Sequence, residues 1–209
     1  MENNLQNTKQ KIQQTALELF SKKGYHSVSI RDICKVVGIK ESTVYYHFKN
    51  KKDILDSLYE QVERLMNDMK NLFNNAFSKI KVVDVNAFCK VAVGFLENYL
   101  LEPIIYQLIG MLTIEKLTDQ LADQKYRELL FYAPLHQQEK VFTLMIGKKY
   151  FKQADALLLA NEYYSIIFYI FQKYFCGYEV TDNCRKQAKN ELTIHMARFF
   201  YENNNNGVN

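Results

Sequence analysis

The chain has 209 residues, enough for one sizeable domain or two small ones, and its 48% apolar and 24% charged residues exclude wholesale disorder. Only 2 Pro and 7 Gly occur, too little turn chemistry for a sandwich or barrel of many short strands, so long helices are expected. The net charge of +4 is uneven: residues 1–53 hold ten Lys and Arg against five Asp and Glu, whereas the remainder holds 17 against 18. Such asymmetry fits a small anion-binding module on a near-neutral body, or a merely solvated basic face.

The longest run without a charge, Pro103–Ile114, has twelve residues. A spanning helix needs about 18, so no membrane segment or membrane partner is expected. The polar start, Met1–Asn4, lacks the layout of a signal peptide. Cys34, Cys89, Cys176 and Cys184 match neither a CxxC pair nor a disulfide scaffold. Reduced, buried thiols and a cytoplasmic protein are the expectation.

Ile12, Thr15, Ala16, Leu19 and Phe20 make one helical stripe, and Gly24 suits a left-handed stop. Ser29 then fits an N-cap with Asp32 as its capping-box partner and Val28 with Ile33 as a hydrophobic staple. The buried stripe of this second helix is Ile30, Ile33, Cys34 and Val37, ended by Gly38. A third helix is expected over 40–48 with Val44 and Phe48 inward. Asn50 and Asp53 open a long fourth helix whose stripe is Leu55, Leu58, Tyr59, Val62, Met66, Met69 and Phe73. Further helices are expected near 84–101, 103–115, 119–133, 135–146, 154–175 and 182–201, with Pro103 and Pro134 as first residues and Gly147 and Gly177 as stops.

The stretch from Ser29 to Lys51 has the layout of a helix-turn-helix, whose second helix enters the major groove. Turning the third helix by 100° per residue from inward Val44 puts Ser42, Thr43 and Tyr46 on the opposite side, flanked by Tyr45 and His47. Hydroxyls, phenols and an imidazole bond phosphates and base edges. Lys51 follows the N-cap Asn50, where a helix start already attracts phosphate. Arg31 has the fork that reads a guanine edge.

The segment Lys11–Leu58 resembles the DNA-binding domain of TetR/AcrR-family regulators. The likeness is carried by A-x-x-L-F-x-x-x-G-Y, S-I-R-D-I, V-G-I-x-x-S-T-V-Y-Y-H-F and K-N-K-x-D-I-L, over about a quarter of the chain. The resemblance implies an all-helical homodimer whose first three helices bind operator DNA and whose variable remainder binds an effector. It puts DNA contacts on Arg31, Ser42, Thr43, Tyr45, Tyr46, His47 and Lys51, with Ser29 capping. Glu41 departs from the pattern, since many members carry a neutral or basic residue there.

In the helix over 154–175, apolar residues go nearly all the way round, so more than one face must be covered. The resemblance implies that the last two helices form a four-helix dimer interface, with Ile167, Ile170, Phe171, Leu192, Met196 and Phe199 in it; a monomer core is the alternative. Phe95, Tyr99, Tyr106, Ile109, Met111, Phe131, Phe142, Met145 and Tyr164 lie on the middle helices where family effector cavities form, although such a stripe is also ordinary core. Glu97 or Glu115 would suit a cationic effector as counter-ion.

No GxGxxG, P-loop, GxSxG or HExxH occurs, and the four His are scattered, so no catalytic residue, metal site or cofactor is expected. The sequence therefore reads as an all-α regulator: a helix-turn-helix DNA-binding domain over 1–53, an effector-binding and dimerisation domain over 54–202, and a disordered tail over 203–209. The competing reading is a helical small-molecule- or lipid-binding protein without operator function.

Overall fold

The computed structural model describes residues 2–78, 83–177 and 179–205, with side chains described from residue 6 to 71 and from 83 onward within those ranges. Regular structure among them is helical, as expected. The helices are α1 (Glu2–Lys23), α2 (Ile30–Val37), α3 (Glu41–His47), α4 (Lys51–Ser78), α5 (Val85–Phe95), α6 (Pro103–Glu115), α7 (Gln120–Arg127), α8 (Ala133–Gly147), α9 (Ala156–Tyr174) and α10 (Asp182–Asn203). Two π-helical turns continue α5 over Leu96–Leu100 and α7 over Glu128–Tyr132.

The chain forms two compact units, one of residues 1–79 and 103–126, the other of residues 80–102 and 127–209. In the first, Ile12, Ala16, Leu17 and Phe20 of α1 are buried with Ile33, Val44, Phe48, Ile54, Leu58 and Val62. Leu17 lies off the expected stripe because α1 is covered on several sides, by α2, α3, α4 and α6. Ile30, Val37, Leu55, Tyr59, Met66 and Met69 are half-buried at the edges of their stripes, and the side chain of Phe73 lies outside the described residues.

In the second unit, α9 packs against α8 and α10, and α10 also packs against α5. The core there is aromatic: Phe88, Phe142, Phe151, Tyr163, Phe199 and Phe200 are buried. Phe88, for example, lies edge-on to Tyr163 at 5.5 Å and stacked on Phe199 at 6.0 Å.

Pro134 stands in the first turn of α8, as expected, but the expected break before that helix is absent, because helical backbone runs from Gln120 through the π turn to Gly147. A proline inside a helix removes the donor for the carbonyl four or five residues back. Here the hydroxyls of Tyr99 and Tyr164 donate to the carbonyls of Leu129 and Leu130, at 2.7 and 2.5 Å. Residues 203 and 205 of the expected tail are bonded to the body of their unit: Lys152 N–H donates to the Asn203 carbonyl at 2.8 Å and the Asn205 amide donates to the Lys149 and Phe151 carbonyls at 2.9 Å; residues 206–209 lie outside the described residues. Of the four thiols only Cys34 and Cys89 are buried, because Cys176 lies past the end of α9 and Cys184 in the first turn of α10. No helix among the described residues is long and apolar enough to cross a membrane.

Candidate nucleic-acid interface

Local chemistry builds the short α2–α3 pair as read from the sequence. Ser29 caps α2: its hydroxyl accepts the Asp32 N–H at 3.2 Å, and the Asp32 carboxylate accepts the Ser29 N–H at 2.8 Å and hydroxyl at 2.6 Å. Those bonds hold the Asp32 carboxyl below the usual carboxylate range. Gly38 closes α2 at φ 78°, with its N–H and that of Ile39 both donating to the Cys34 carbonyl. Asn50 accepts the Asp53 N–H at 2.9 Å, while Asp53 reaches back to the Lys49 N–H at 2.8 Å, one residue earlier than a capping box requires.

With Val44 and Phe48 buried, α3 presents its other side outward. Tyr46 is 71% and Tyr45 53% exposed, Ser42 is exposed, and Thr43 is half-buried. His47 is not on the open face: it is half-buried, edge-on to Tyr46 at 5.1 Å, and its Nε2 is shut from solvent without a hydrogen-bond partner among the described residues. The rotation that faces Tyr46 outward turns the next residue, 100° on, toward the body.

Lys51 is used internally rather than offered to solvent. Its ammonium donates to the carbonyls of Tyr25 and Val28, each at 2.8 Å, and lies 4.2 Å from the Tyr25 ring centroid. Desolvation lowers its pKa, against the opposing field of Glu115. Ser29 is likewise committed to its cap. Arg31 reaches Glu41 across the α2–α3 turn, Nε to Oε1 at 2.9 Å. The two residues are legible in the sequence but their pairing is not; its signal is a pair of opposite charges in the first turns of two successive short helices.

A second junction in this unit ties the loop after α1 to α6. Buried Glu115 accepts the His26 N–H at 3.1 Å, and the His26 ring lies 3.6 Å from Glu115 and 3.5 Å from Asp119. Glu115 is therefore occupied and is no free counter-ion. Glu97 is occupied too, by Arg185 at 3.1 Å and Lys189 at 3.2 Å.

The expected pocket residues divide. Tyr106, Ile109 and Met111 belong to the first unit, and the others to the second. Phe142 and Met145 are buried, Phe142 within the aromatic core. Phe95 stacks on Tyr99 at 4.8 Å and meets Tyr164 edge-on at 6.0 Å, while Phe131 and Tyr164 both touch Phe168. The expected interface residues Ile167, Ile170, Phe171, Leu192, Met196 and Phe199 are all buried inside the chain. This corrects their assignment: they form the stripe on which α8, α9 and α10 pack. The large apolar side chains these two helices expose are Leu157, Leu158, Tyr169, Ile194 and Tyr201.

Residues 12–58, which span this whole pair of helices and its braces, match the family described as bacterial regulatory proteins, tetR family. The matched residues lie within the N-terminal unit. The TetR-family segment is similar to the biofilm operon icaADBC HTH-type negative transcriptional regulator IcaR of Staphylococcus aureus, at 44% identity over 63 residues. That match covers 30% of this chain and 32% of IcaR, so it spans about a third of that relative's length. Nearly the whole chain shares the fold of a putative TetR-family transcriptional regulator from Mesorhizobium loti, with a TM-score of 0.72 at 14% identity, over 96% of this chain and 98% of that one. The SmeT–triclosan complex is also similar in fold, with a TM-score of 0.70 at 13% identity over 96% and 93% of the two chains. The all-α architecture of an N-terminal helix-turn-helix and a C-terminal helical domain is thus that of TetR-family proteins.

Proposed function

We propose that the chain is a ligand-responsive transcriptional regulator that binds a pseudo-palindromic operator as a homodimer and represses until a small, mostly apolar effector releases it. The observation that carries this reading is the outward face of α3, where Ser42, Tyr45 and Tyr46 stand in solvent over a buried Val44–Phe48 anchor. Two exposed phenols and a hydroxyl on one short helix suit phosphates and base edges. In this proposal Ser42, Thr43, Tyr45, Tyr46 and Arg31 meet DNA, whereas Ser29, His47 and Lys51 act by holding the helices that present them.

Negative regulation is the stated role of the similar IcaR, and it supports repression here. A reader of two half-sites needs two-fold symmetry, and the exposed Leu158, Tyr169, Ile194 and Tyr201 supply an apolar face for a second copy. The cluster of Phe95, Tyr99, Phe131, Tyr164 and Phe168 suits an aromatic effector, and the structurally similar SmeT was solved with triclosan. Such a regulator acts in the cytoplasm. Selection of duplexes from a randomised library by the purified protein tests the reading, because a carrier without operator function would enrich no sequence.

A further inference from the structure

Glu41 is an unfavourable residue to hold beside DNA, since its carboxylate repels phosphate. The structure gives it other work. Its Oε1 accepts from Arg31 Nε at 2.9 Å, across ten residues and the whole α2–α3 turn. Arg31 is otherwise a free-standing side chain, 84% exposed, and no other described residue accepts from its terminal nitrogens. An arginine has five N–H donors in a fixed fork. Binding Nε occupies one edge of that fork and leaves the Nη1–Nη2 edge as a parallel pair of donors. Guanine presents a matching pair of acceptors, O6 and N7, in the major groove.

We infer that Glu41 is a positioning residue that fixes the Arg31 guanidinium, so that its free edge reads one guanine per half-site. The inference rests on the DNA-binding reading above and adds a specificity determinant to it. The physical gain is pre-organisation. A long side chain must be immobilised to read a base, and Glu41 immobilises it before DNA arrives. Glu41 itself is held in the first turn of α3, the helix whose outer face carries Tyr45 and Tyr46. One carboxylate therefore sets the arginine of α2 in register with the side chains of α3.

The test uses the full chain and a duplex selected from a randomised library by the wild-type protein, together with single-base variants of that duplex. Glu41→Ala is expected to reduce the preference for guanine at one base pair per half-site by about two- to tenfold, the range expected when one side chain must be immobilised on binding. Glu41→Gln keeps an oxygen for Nε and is expected to retain most of the preference. In the Arg31→Ala background, Glu41→Ala is expected to have no further effect on preference, while circular dichroism confirms that each variant is folded. A Glu41→Ala protein that binds every duplex more tightly by one common factor, with its base preference unchanged, overturns the inference alone, because Glu41 is then only a repulsive charge. A wild-type protein that enriches no duplex overturns the regulator reading and this inference with it.

Discussion

Lys51 and Tyr25 are joined twice: the Lys51 ammonium donates to the Tyr25 carbonyl at 2.8 Å and lies 4.2 Å from the centroid of its ring. With the second bond to Val28, the first turn of α4 is tied to the loop between α1 and α2. A lysine that sequence logic places against phosphate is here a brace for the domain. Lys51→Ala leaves two carbonyls short of a donor and is expected to cost about 1–3 kcal/mol of stability. The salt slope of DNA binding is expected to change by well under one, because a lost phosphate contact would flatten it by about 0.9. Urea midpoints and binding at several salt concentrations check both. A slope change near one with unchanged stability would return Lys51 to the phosphates.

Gly24 and Gly38 separate two costs of an added methyl group. Both have left-handed backbone, φ 81° and 78°, but a Cβ at Gly38 would meet nothing within 4 Å, whereas one at Gly24 would overlap Glu115 Oε1. Gly38→Ala is expected to cost about 1–2 kcal/mol from backbone conformation alone. Gly24→Ala is expected to cost more, because it also displaces the carboxylate that accepts the His26 N–H. Equal losses of melting temperature would mean that the Glu115 junction yields freely.

Tyr99→Phe and Tyr164→Phe test the account of Pro134. Each removes only a hydroxyl, leaving the Leu129 or Leu130 carbonyl without that donor in a buried site. A loss of about 1–3 kcal/mol is expected for each. If Pro134 is the reason those carbonyls need donors, Tyr164→Phe should cost less in a Pro134→Ala background, which restores a backbone N–H. An undiminished cost would show that the hydroxyl serves something else.

Local signals were legible in the sequence because each lies within four residues of its partner: the Ser29–Asp32 cap, the Gly38 stop and the Asn50–Asp53 pair. The outward Tyr45 and Tyr46 followed from helical rotation around Val44. What could not be read depends on distant chain. The Lys51 bond to Tyr25 spans 26 residues, and the Tyr164 bond that accommodates Pro134 spans 34. Apolar periodicity showed that α9 is covered on several faces, but not which faces its own chain covers.

That ambiguity sets the test of assembly. Ile194 is 70% exposed on α10, while Ile167 on α9 is fully buried. Ile194→Glu is expected to give a folded monomer, and Ile167→Glu a misfolded protein, since an unpaired charge in the core is strongly destabilising. Light scattering and circular dichroism distinguish the outcomes. A wild-type protein that is monomeric at micromolar concentration would remove the dimer from the proposal.

The most direct test of the central claim is equilibrium binding of the wild-type protein to a library-selected duplex and a scrambled duplex across a salt series. The account predicts two chains per duplex and tighter binding to the selected sequence. Its affinity should fall with salt at a log–log slope of about −5 to −9, as for six to ten phosphate contacts. Equal binding to both duplexes, or a slope near zero, would contradict it.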